Sequence, residues 1–180
     1  MLQVGSIYHI KDFDFSSMNP ALNGVEKLRD KYVLVLNIDD PKKALFCFTT
    51  TFKTHPSYHM HASAGCNYIP HVVKFKVYHF EFEAKFHCFD TRYRFPEMTY
   101  IVGNKGQVFE SDLPFLFTEH NVTQQIVRIG AFDIDTLFEI IECIHDSKSI
   151  ETYLRNKLHS AGSIIYSEIQ KRDTPEEKTA

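Results

Sequence analysis

The stretch 30–52, DKYVLVLNIDDPKKALFCFTTTF, limits what the chain can fold into more than any other. Two apolar runs, 32–36 (YVLVL) and 44–48 (ALFCF), flank a polar turn at 37–43. Each is too short for an independent helix and rich in β-branched and aromatic residues. Turn chemistry bounds both, so the pair reads as two buried strands of one hairpin. Antiparallel pairing sets the start of one strand beside the end of the next. Lys31, at the mouth of the first strand, is therefore expected close to Thr49, Thr50 and Thr51 at the exit of the second.

The rest of the chain reads as strands first and helices last. An opening strand is expected over 4–10, and a polar loop over 16–24, with a short helical turn between 20 and 28. Residues 55–67 read as a long polar loop. The longest strand pattern covers 72–89. Its apolar residues change parity between Val77 and Tyr78, which predicts a bulge there. Strands follow at 99–102 and 107–109, and the proline-broken run 113–117 reads as an edge or packed loop. Thr136-Leu137-Phe138-Glu139 is a capping box ahead of Leu137, Ile140, Ile141 and Ile144 at helical spacing. A second helix carries Ile150, Tyr153, Leu154 and Leu158 on one face and stops near Gly162, and a third short piece follows over 164–169.

This order predicts an α+β fold, a small antiparallel barrel or curled sheet with C-terminal helices packed beside it. Residues 1–130 form the barrel-like part, 131–170 its helical extension, and 171–180 a disordered tail. At 180 residues, one domain with a substantial core is expected. No apolar run approaches the roughly 20 residues that span a bilayer, and no secretory signal opens the chain, so a cytoplasmic protein without membrane attachment is expected. The four cysteines (47, 66, 88 and 143) are widely spaced with no CxxC pair, and read as reduced thiols.

The net charge of −3 gives no global attraction for nucleic acid. Its distribution is uneven. Residues 53–105 hold seven Lys or Arg against four acids, whereas 133–158 hold six acids against three bases. Within the basic middle, Lys74, Lys76, Lys85, Arg92, Tyr93, Arg94 and Tyr100 interleave cations with aromatic rings, a pattern that suits stacking of unpaired bases beside phosphate contacts. An ordinary half-buried sheet with a charged outer face produces the same pattern. His55, His59, His61, Cys66 and His71 fall within 17 residues. No zinc spacing appears among them and no Asp or Glu stands in that loop, so they read as solvated histidines and no metal is assigned.

The segments GSIYHIKDFDF, DKYVLVLN, ALFCFTTTF and TYIVGNKGQV together resemble the PemK/MazF-like family of small-barrel ribonuclease toxins. Gly5 and Tyr8 match its opening strand, Lys31 the basic residue before a V/L-rich strand, and Thr49-Thr50 the hydroxyl pair that ends the next. The resemblance implies an SH3-like barrel and metal-independent cleavage of single-stranded RNA by attack of the ribose 2′-OH, with no cofactor. In that chemistry a cation meets the charge that builds on the phosphate, and a hydroxyl holds the phosphate in line. Lys31 would be the cation and Thr49, with Thr50, the hydroxyl. The family usually has arginine at the position of Lys31, and Arg29 would supply a guanidinium by a small loop shift. Lys74, Lys76, Arg92, Arg94 and Tyr100 would line the RNA. A neutralising antitoxin protein and a homodimer are the implied partners. The alternative is a non-catalytic barrel module that binds a protein or nucleic acid.

Overall fold

The computed structural model describes residues 3–14, 28–40, 43–51, 64–69, 75–80, 99–103, 108–112 and 126–174. Within them lie, in chain order, strands β1 (Ser6–Asp14), β2 (Leu28–Asp40), β3 (Lys43–Thr51), β4 (Gly65–Ile69), β5 (Phe75–His79), β6 (Thr99–Val102), β7 (Val108–Asp112) and β8 (Ile126–Ala131). Helices α1 (Ile134–His145) and α2 (Thr152–Asp173) follow. The fold is α+β, an antiparallel sheet with two C-terminal helices.

The predicted hairpin is the centre of this sheet. The strand order is β4-β5-β6-β3-β2-β1-β8, with β7 also paired to β3. Val33 pairs with Phe48, Leu34 with Cys47 and Val35 with Phe46, after which the register shifts at Asn37. Two strands beyond the predicted set complete the sheet. β4 takes Gly65, Cys66 and Asn67 out of the expected loop, and β8 pairs with β1. The predicted bulge at 77–78 is absent from β5. Val77 pairs with Asn67 and Val102, and Tyr78 with Cys66 and Ile101, in unbroken register on both sides. The neighbouring β6 is buried at all four of its residues, so both of its faces are covered. A parity change in the apolar pattern then needs no extra residue. No ladder joins β4 to β8 among the described residues, so the sheet is open there.

Both faces of the hairpin are dry. Leu34, Leu36, Leu45 and Cys47 pack with Ile7 and Ile101 against the buried sides of α1 and α2. Val33, Val35, Ala44, Phe46 and Phe48 pack with Tyr8 and Ile10 on the opposite face, where Phe109 lies 4.8 Å from the Phe48 ring centroid. Continuous apolar runs, rather than alternating ones, are what such double coverage requires. Each large aliphatic or aromatic side chain so buried contributes about 1.5–3 kcal/mol.

The helices depart from the sequence reading at their ends. α1 begins three residues before the predicted box: Asp133 is its N-cap, with Oδ1 accepting from the Thr136 N–H at 2.8 Å and Oδ2 from the Thr136 hydroxyl at 2.9 Å. α2 runs straight through Gly162 and merges the two predicted helices. Gly162 faces α1, where a Cβ would sit 3.2 Å from Glu142 Oε1 and 3.5 Å from Ile141 Cγ2, so this glycine serves close helix contact. Tyr153, expected on the packed face, is exposed. Lys171, Arg172 and Asp173 belong to α2, and residues 175–180 lie outside the described set, as do the expected features over 16–24 and 113–117. Arg172 clamps Asp135 with two bonds of 2.8 and 3.0 Å, tying the last turn of α2 to the first of α1. No helix among the described residues is long and apolar enough to cross a membrane.

Two outcomes test these joints. Asp133→Ala should cost about 1 kcal/mol in a urea titration, because two bonds at the helix start are lost. Hydrogen bonds from Arg172 hold the Asp135 carboxyl below its ordinary value of 3.8. A depressed carboxylate adds stability above its unfolded pKa and loses it as the pH falls through the folded one. The melting-temperature gap between the native chain and Arg172→Ala should therefore be full at neutral pH and close as the pH drops below 3.8. A gap that persists unchanged in stronger acid contradicts this.

Candidate functional site

The hairpin forms, and its register puts Lys31 and Thr49 on different faces. The β2–β3 ladder runs out at Val33 and Phe48. On the edge of β3 away from β2, Thr49 pairs with Ile101, Thr50 with Tyr100 and Thr51 with Thr99 of β6. On its edge away from β3, β2 pairs with β1, Lys31 with Ile10 and Arg29 with Phe13. Residues paired across strands share a sheet face. Ile10 belongs to the cluster away from the helices, whereas Ile101 belongs to the cluster beneath them. Lys31 and Thr49 thus stand on opposite faces, and Thr49 is enclosed at 2% exposure.

The basic and aromatic strip is only partly within view. Lys74, Arg92 and Arg94 lie outside the described residues, as do Lys85, Tyr93, His55, His59, His61 and His71. Lys76 is a β5 residue paired with Tyr68. Tyr100 is 1% exposed in the interior of the sheet, so its ring is part of the core.

Other groups meet that the sequence keeps apart. His9 and Tyr32 are cross-strand partners on β1 and β2, stacked at 4.9 Å between ring centroids. His9 Nε2 lies 3.2 Å from Asp30 Oδ2. Burial, with Asp30 alongside, raises the Tyr32 phenol above its ordinary value. Only the strand register brings these residues together.

The second assembly is covalent. Cys66 of β4 is bonded to Cys143 of α1 across 77 residues of chain, which corrects the expectation of reduced thiols. Cys47 is a free thiol, and its complete burial pushes its pKa up. The reason for the miss is topological: a register of 77 residues leaves no spacing signature, and Cys143 sits among Ile140, Ile141 and Ile144 as if it were one more core residue. Closing a loop of this length removes unfolded-chain entropy worth about 4–5 kcal/mol in the chain-entropy picture. Beside the bridge, the Tyr78 hydroxyl donates to Glu139 Oε2 at 2.9 Å and pins β5 to α1. Cys66, Tyr78, Phe138, Glu139, Glu142, Cys143 and Asp146 line a cleft of about 300 Å³ at this junction. Its wall is held by one covalent bond and one charge-assisted hydrogen bond, and its rim carries three carboxylates. Among the described residues, no group of three His, Cys, Asp or Glu is placed to hold a metal ion.

No protein-family model, curated protein or solved structure matches the chain.

Tyr78→Phe removes the bond to Glu139 and keeps the ring. It should lower unfolding stability by about 1–2 kcal/mol, read by urea titration under non-reducing conditions, with the disulfide intact by mass. An unchanged midpoint contradicts a tether at this position.

Proposed function

We propose that this protein is a non-catalytic binding module that recognises another protein, and that it does not cleave RNA. The observation that carries this reading is the acidic cleft at the sheet–helix junction, beside the burial of Thr49 and Tyr100 in the sheet. Metal-independent phosphate transfer needs a cation and a hydroxyl within hydrogen-bond reach of one phosphate. Thr49, at 2% exposure, offers its hydroxyl to no strand of RNA, and Tyr100, at 1%, offers no stacking face. The cleft at the sheet–helix junction has three carboxylates among its lining residues and no Lys or Arg. Phosphates are repelled by such a rim, which favours a protein partner over a nucleic acid. A disulfide persists where thiols are oxidised, so an oxidising compartment replaces the cytoplasmic expectation in this proposal.

The test is incubation of the purified chain with labelled single-stranded RNA in chelator, followed on a gel and by fluorescence anisotropy. Neither cleavage nor saturable binding is expected, for the native chain or for Lys31→Ala. Cleavage that survives chelation and disappears in Lys31→Ala would restore the PemK/MazF-like ribonuclease reading. Saturable binding without cleavage would overturn the choice of a protein partner.

A further inference from the structure

The two halves of the disulfide differ in access. Cys66 is exposed on β4, at the end of the strand order, whereas Cys143 is 3% exposed on the packed side of α1. Both line the cleft, so a small molecule entering it meets the bridge without unfolding the chain. The same cleft is rimmed by Glu139, Glu142 and Asp146. Thiolates that carry additional negative charge are repelled by that rim, and those with a compensating cation are not.

We infer that the Cys66–Cys143 bridge is a site of thiol–disulfide exchange, and that the carboxylate rim selects neutral or cationic thiol reductants over anionic ones. The exchange takes two equivalents of thiol, or one dithiol. The attacking thiolate forms a bond to Cys66 Sγ, the Cys66–Cys143 bond breaks, and its electron pair leaves on Cys143 Sγ, which takes a proton from water. The second thiolate then attacks the reductant's sulfur in the mixed disulfide and releases Cys66 Sγ, which takes a proton from water. The reductant ends as its own disulfide, and two electrons and two protons have passed to the protein. Reduction removes the covalent tie between β4 and α1, while Tyr78 and Glu139 still hold β5 in place. The inference is independent of the partner class proposed above.

The experiment uses the full oxidised chain under native conditions. Cysteamine, 2-mercaptoethanol and 3-mercaptopropionate are compared at equal thiolate concentration, with alkylation and intact mass as the readout. Rates are expected to fall in that order, with a spread on the order of 10-fold at low salt that shrinks several-fold at high salt. Two protein thiols should become reactive while Cys47 stays unlabelled. Glu142→Gln with Asp146→Asn should narrow the spread. If that variant does not fold, the salt series on the native chain decides alone. Rates that ignore reductant charge and salt overturn the selection, and a bridge that resists all three thiols until the chain is denatured overturns the exchange site. Four reactive thiols in the denatured chain before any reductant is added would overturn the bridge itself.

Discussion

The position of β3 between β2 on one edge and β7 and β6 on the other is the constraint on which the rest of the structure depends. Its first half is sandwiched between β2 and β7, and its last three residues pair with β6. On the edge away from β2, β7 gives way to β6, so the sheet extends to β4 on one side and β8 on the other. It also decides where the chemistry goes. The paired register of β2 and β3 ends at Val33 and Phe48, and strand alternation puts Thr49 on the face of Cys47 and Ile101, which the helices cover.

The helices complete the arrangement by covering one side. α1 is held at both ends, by the Asp133 cap at its start and by the Ser147 hydroxyl donating to the Gly103 carbonyl just past its end. Lys157 of α2 reaches Glu110 of β7 at 2.7 Å, so the second helix is tied to the sheet as well. Gly5 joins the layers at the other end. With φ at 80°, its N–H donates to the Val35 carbonyl and its carbonyl accepts from Phe132. These contacts fix α1 over β4 and β5, which is what creates the cleft and brings Cys143 to Cys66.

Much of this frame was legible beforehand. The apolar runs at 32–36 and 44–48 could satisfy no other geometry than paired strands, and the spacing of Leu137, Ile140, Ile141 and Ile144 required an amphipathic helix. The misreadings share a cause. Gly162 reads as a helix stop because glycine often ends helices, yet its role depends on Glu142 and Ile141 of another helix. The slip at Val77 and Tyr78 implies a bulge only where a single face of the strand is covered, and the register there is unbroken. The site was less legible than the frame. Lys31 and Thr49 lie near each other along the hairpin, but strand alternation puts them on different faces in the register that forms, and that register is set by the whole core.

The sequence by itself determined part of the local geometry: the central hairpin, the amphipathic spacing of α1, which residues are apolar enough to be buried, and that strands precede helices. Those properties follow from side-chain shape, periodicity and turn chemistry within a few residues of each position. The tertiary structure alone decided which residues meet. Cys66 and Cys143, His9 and Asp30, and Tyr78 and Glu139 are separated by 77, 21 and 61 positions. No local preference couples such pairs. Their contact follows from strand register and helix docking, which are set by the burial of the whole core.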